Sequence, residues 1–132
     1  MSKFHFTVSE HMTAHPHAIN IKENLANAHE AMTKDGIRHL PVMDGGKVVG
    51  ILSDRDIQLA KGFKHGNLKS MHVEDVYEDA VYITHPDANL KSVAMAMAEK
   101  RIGSAVVVDD ADALVGIFTT TDACRVLNEV LG

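Results

Sequence analysis

Cysteine is almost missing from this chain: Cys124 stands alone, so no intramolecular disulfide can form and burial has to hold the fold. Long apolar runs are missing too. Stretches such as Ala105 to Val108 fall far short of the ~20 residues a membrane-spanning helix needs. The opening residues Met1-Ser2-Lys3-Phe4-His5 have no apolar segment of the secretory kind, and a soluble protein of the reducing cytoplasm is the expectation. No block of like charge is present, and a net charge of -5 argues against a general nucleic-acid backbone binder. Catalytic signatures are lacking as well. There is no nucleophile elbow, Walker A loop or zinc-protease pattern, and Gly45-Gly46-Lys47 has the wrong spacing for a phosphate loop. The chain is therefore expected not to be an enzyme.

What is present is enough apolar material for a core, 45% of 132 residues, and a strongly repeated pattern. The stretch Gly50-Ile51-Leu52-Ser53-Asp54-Arg55-Asp56 returns as Gly116-Ile117-Phe118-Thr119-Thr120-Thr121-Asp122. In each, a strand hands over to a helix, with Ser53 or Thr119 at the N-cap and Asp56 or Asp122 in the first turn. Such a spot is a capping box, and unpaired amides at a helix start also suit an anion. Upstream, Val8 matches Val73, Asn24 matches Asn89, Leu25 matches Leu90, Ile37 matches Ile102 and Asp44 matches Asp109, each 65 apart. Beyond the following turn the offset becomes 66, because one residue is added where insertion is cheap.

In chain order, Val8 to Met12 reads as a short helical turn, and Pro16 forces an extended entry into Ala18 to Ile21. A helix is predicted over Leu25 to Lys34, stopped by Gly36. Strands follow at Ile37 to Met43 and Val48 to Leu52 around the Asp44-Gly45-Gly46 turn, then a helix from Asp54 to about Lys61. Gly62 to Ser70 reads as a polar connection. The second copy is predicted to have helices at Leu90 to Lys100 and Asp122 to Leu131, with strands at Ser104 to Val108 and Leu114 to Phe118. The repeats are placed at residues 8–64 and 73–131, joined by a linker at 65–72. Each is near the lower size limit for independent burial, so a pair packed as a pseudo-dimer is expected. Met32, Met43, Met95 and Met97 are read as core filler, and Cys124 as a packing residue of the last helix.

With Gly36-Ile37-Arg38-His39-Leu40-Pro41-Val42 and Gly50 to Ile57 in place, the unit resembles a CBS domain, named for cystathionine β-synthase. The whole, over residues 8 to 131, resembles one tandem pair standing alone. The second copy departs from the pattern, with Val106 in place of Pro41 and Tyr77 in place of Met12. The resemblance implies an α/β (α+β) fold of two small sheets, each with two helices, related by a pseudo-twofold axis. It also implies a regulatory module binding adenosine-containing ligands, namely AMP, ADP, ATP or S-adenosylmethionine, with no cofactor of its own. One cleft would join Ala18, Ile19, Ile37, Arg38 and His39 to Thr119, Thr121 and Asp122. The other would join Ile83, Thr84, Ile102, Gly103 and Ser104 to Ser53, Arg55 and Asp56.

Each aspartate would accept the two hydroxyls of a ribose, Ile37 and Ile102 would wall the purine, and Arg38, His39, Arg55 or Arg101 would meet phosphate. Arg55 stands where the second motif has Thr121, so the Asp56 cleft is expected to favour more phosphate. The family also implies a homodimer, for which Val126, Leu127, Val130 and Leu131 would serve, and a regulated protein partner, with neither membrane nor nucleic acid involved. Two other readings stay open. The pair could be a ligand-free dimerisation adaptor, or the histidines His5, His11, His15 and His17 could gather a metal, although no carboxylate or cysteine completes an obvious set; His65 and His72 are expected to be solvated.

Overall fold

The structure is a computed structural model, and it describes residues 6–63 and 67–132. Phe4, His5 and His65 lie outside those residues, as does part of the Gly62 to Ser70 connection. The elements in chain order are a 3-10 turn Val8–Glu10, β1 Thr13–Ala14, β2 Ile19–Asn20, α1 Leu25–Asp35, β3 His39–Asp44, β4 Lys47–Ser53 and α2 Asp54–Ala60. They continue through 3-10 turns Leu68–Ser70 and Val73–Asp75, then β5 Ile83–Thr84, α3 Leu90–Lys100, β6 Ser104–Val108, β7 Leu114–Thr119 and α4 Thr120–Val130.

Local chemistry accounts for the boundaries. Asn24 and Asn89 cap α1 and α3, each side-chain oxygen accepting the amide three residues on. Gly36 ends α1 in the left-handed region at φ 64°, and Arg101 ends α3 in the same region at φ 56°. The turn between β3 and β4 uses Gly45 and Gly46, both at positive φ. The corresponding turn of the second repeat uses Asp112 at φ 63° and the Asp109 carboxylate, which accepts from the amides of Ala111 and Ala113.

The described residues form two compact units that cut across the repeats: His17–Val81, and Tyr82–Gly132 together with the N-terminal residues as far as Pro16. In the first, β2, β3 and β4 form a sheet in that order, with Leu25, Leu40, Val42, Leu52, Ile57 and Val73 fully buried in its core. In the second, the order is β1-β7-β6-β5, and the core gathers Val8, Leu90, Val93, Val107 and Phe118.

The lead-in of each repeat thus belongs to the unit built mainly from the other. Val8 donates its amide to Ala88, as Val73 does to Glu23; Ser9 donates to Pro86, as Glu74 does to Ile21. Leu90 donates to Phe6, as Leu25 does to Met71. Thr13 lies opposite Ile117, as Glu78 lies opposite Ile51.

Two packing expectations change. Met32 and Met97 are buried and Met43 is half-buried, but Met95 is exposed on α3, on the opposite side of the helix from the buried Val93 and Met97. Cys124 is exposed on α4 rather than packed. His72 is exposed, as expected.

Candidate functional site

The antiparallel hairpin of the 17–81 unit places His39 opposite Ser53, so the start of β3 and the end of β4 share one edge of the sheet. The Asp54 amide donates to the Arg38 carbonyl (2.8 Å), which ties the two chain segments together there. Around this edge Arg38, His39, Ser53, Asp54, Arg55 and Gln58 line a pocket of about 390 Å³. The resemblance divided Arg38 and His39 from Ser53 and Arg55, assigning them to opposite clefts; the structure lines one pocket with all four.

Arg38 and Arg55 are exposed, and among the described residues neither is in an ion pair. His39 is half-buried, and its removal from water pushes its pKa below 6.5; Asp56 opposes the shift and Arg38 adds to it. Gln58 reaches back to Asp54 at 3.4 Å.

Asp56 forms a capping box with Ser53. The Ser53 amide donates to Asp56 Oδ2 (2.9 Å) and the Asp56 amide to Ser53 Oγ (3.1 Å). Asp56 is half-buried, and among the described residues its Oδ1 accepts no hydrogen bond. Two amides at the start of α2 are spent inside the protein, Asp54's on Arg38 and Asp56's on Ser53.

Ala18 and Ile19 lie further along the same sheet, with Ile19 opposite Val42, and the Ile19 side chain is buried in the core. Ile37 is half-buried against that core.

The other unit repeats the geometry with different chemistry. Ser104 lies opposite Thr119, and the Thr120 amide donates to the Gly103 carbonyl at 3.1 Å. Where the first unit has Arg38, His39 and Arg55, this one has Gly103, Ser104 and Thr121, so no basic side chain occupies the equivalent positions. Ile102 is half-buried against the core, Ile83 is exposed and Thr84 is buried.

Asp122 is 2% exposed and heavily engaged. Its Oδ1 accepts from Arg125 Nη1 (2.7 Å) and Thr13 Oγ1 (3.1 Å), and its Oδ2 from the Thr119 amide (2.9 Å) and the Thr119 hydroxyl (3.2 Å). Sequence reasoning missed Thr13 and Arg125. Arg125 was legible one helical turn after Asp122, whereas Thr13 is 109 residues away and has no local signal. Arg101, expected to meet phosphate, is the left-handed C-cap of α3.

Among the described residues the histidines do not gather. His17 pairs with Asp35 at 2.9 Å and His11 lies 3.9 Å from Glu129; among the described residues no group of three or more His, Cys, Asp or Glu side chains is placed to hold a metal. No helix among them is long and apolar enough to cross a membrane.

The chain is 36% identical over 115 residues to L-aspartate semialdehyde sulfurtransferase of Methanocaldococcus jannaschii; the match covers 86% of this chain but 21% of that enzyme. The chain spans less than half of the curated relatives it first matches, 43% of one and 21% of the other. Among solved structures, a Vibrio cholerae protein named AcuB is 32% identical with a TM-score of 0.85, over 97% of this chain and 94% of that one. The CBS domain pair of protein MJ0100, solved with 5′-methylthioadenosine and S-adenosyl-L-methionine, is 30% identical with a TM-score of 0.81, over 93% and 96%. The CBS domain pattern itself matches residues 8–61 and 73–129. Two matched repeats, with two small sheets and four α-helices among the described residues, make this chain a member of the CBS domain family, carrying a tandem pair.

Proposed function

We propose that the chain is a regulatory module that senses an adenine nucleotide, and that the edge of the 17–81 unit carrying Arg38, His39, Ser53, Arg55 and Asp56 holds its sugar and phosphates. The observation that carries this reading is the co-location, around a pocket of about 390 Å³, of two arginines that form no ion pair among the described residues, beside an aspartate with one oxygen unengaged by them. A ribose diol donates its hydroxyls to Asp56, each charge-assisted bond contributing about 1.5–3 kcal/mol. Phosphate oxygens meet Arg38 and Arg55, which favours ATP over ADP and ADP over AMP. The adenosine ligands of the MJ0100 pair support the same class of ligand here.

Signalling follows from differential binding. Whichever geometry of the module holds the nucleotide better gains population, and a partner protein reads that geometry. The module acts as a homodimer through α4 and its C-cap, where Leu127, Val130 and Leu131 are exposed. Light scattering should give twice 14.4 kDa for the wild type and half that for Leu127→Glu.

Thermal melts with AMP, ADP, ATP and S-adenosylmethionine test the sensor. A ligand at a hundredfold its Kd stabilises by about 2.7 kcal/mol, which raises Tm by several degrees for a chain this size. Arg55→Ala should lower the preference for ATP over AMP by about tenfold, which is ~1.4 kcal/mol. No shift with any of the four ligands would leave the dimerisation adaptor as the reading.

A further inference from the structure

We infer that Thr13 and Arg125 latch Asp122 shut, so that each chain takes one nucleotide, through Asp56, and Arg125 decides whether a second can enter; this rests on the function proposed above. An ionised carboxylate offers about four lone-pair positions. At Asp122 four donors fill them: the Arg125 guanidinium, the Thr13 hydroxyl, and the amide and hydroxyl of Thr119. A ribose diol brings two more donors and finds no acceptor unless the latch opens. Burial reinforces this, since a carboxylate 2% exposed has to keep its donors.

Asp56 is built differently. Its Oδ2 accepts from the Ser53 amide, and among the described residues its Oδ1 accepts nothing. The difference is written into the repeats. Arg125 corresponds to Leu59, which has nothing to donate, and Thr13 corresponds to Glu78, a carboxylate that itself accepts from the Ala80 amide at 2.9 Å. The 17–81 unit therefore cannot form the latch, while the unit that holds Thr13 and Arg125 forms it fully.

Arg125 is the movable part. Its side chain is 62% exposed and approaches the buried carboxylate from the solvent side, whereas Thr119 is fixed by the helix cap. Arg125→Met keeps the apolar stem and removes the guanidinium.

Titration calorimetry with ATP decides the matter through stoichiometry. The wild type should bind one equivalent, Asp56→Asn none, Arg125→Met two, and the double variant one. Two equivalents in the wild type, or one in Asp56→Asn, would overturn the latch while leaving a nucleotide sensor in place. One equivalent in a folded Arg125→Met protein, checked by circular dichroism, would remove Arg125 from the role. Should that variant fail to fold, the Asp56→Asn arm and a Thr13→Val protein still decide. No heat from the wild type with ATP, AMP or S-adenosylmethionine would sink the sensor reading, and the latch with it.

Discussion

Arg101 pays a conformational cost that Gly36, its counterpart in the first repeat, avoids. Both residues end a helix at positive φ, where a side chain costs roughly 1–2 kcal/mol and glycine costs nothing. Arg101 is exposed. Arg101→Gly should therefore stabilise the protein by about 0.5–1 kcal/mol after the extra entropy of an unfolded glycine is subtracted, a gain readable as a higher urea midpoint. A drop in the midpoint would show that the arginine makes a compensating interaction. His39 gives a second prediction at this scale. Because its folded pKa lies below 6.5, the folded state binds fewer protons than the unfolded one, so its contribution to stability is complete above pH 6.5 and is lost as pH falls from there through the folded pKa. A bound phosphate reverses the preference by favouring the imidazolium. ATP should thus bind more tightly at pH 6 than at pH 7.5, with proton uptake seen by calorimetry in buffers of different ionisation enthalpy, and His39→Gln should abolish that dependence.

Elements were the most legible level, and glycine shows why. The caps at Ser53 and Thr119 and the stop at Gly36 depend on neighbours within four residues, so their spacing alone announces them. The reason for glycine at Gly50 and Gly116 was not announced, because it lies in a residue distant in sequence. A Cβ on Gly50 would come within 2.5 Å of the Glu78 carbonyl oxygen and of Tyr77, and one on Gly116 would overlap the Met12 side chain. Met12 and Tyr77, a departure between the repeats in sequence, thus do the same job against equivalent glycines. Gly50→Ala should cost about 3 kcal/mol, since Ile51 and Glu78 exchange both backbone bonds at 2.9 Å and cannot easily part. Gly116→Ala should cost about 1 kcal/mol, because a thioether can swing aside. Equal losses in chemical denaturation would contradict this account. Met95 and Cys124 were misjudged for a different reason: residue type alone cannot say which helix face meets the sheet.

For the molecule as a whole, the sequence pattern revealed the repeat and its offset but not which lead-in joins which unit. The two repeats accept the same hydrogen bonds at matching positions, Val8 to Ala88 and Val73 to Glu23, so a lead-in docked on its own repeat or on the other would leave an identical pattern. The pocket combining Arg38 and His39 with Ser53 and Arg55 was hidden similarly, since it depends on strand register rather than on family spacing. The crossed arrangement makes a prediction that an uncrossed one does not. Val8 and Val73 are both fully buried, and truncating either to alanine should cost about 2 kcal/mol. The damage should appear in the repeat that the mutated residue does not belong to. Hydrogen exchange should quicken along α3, around Leu90 to Met97, in Val8→Ala, and along α1, around Leu25 to Met32, in Val73→Ala. Faster exchange in α1 from Val8→Ala, with α3 unaffected, would mean that each lead-in packs on its own repeat. The two variants therefore measure how the halves of the chain share responsibility for the edge that carries Asp56 and for the one that carries Asp122.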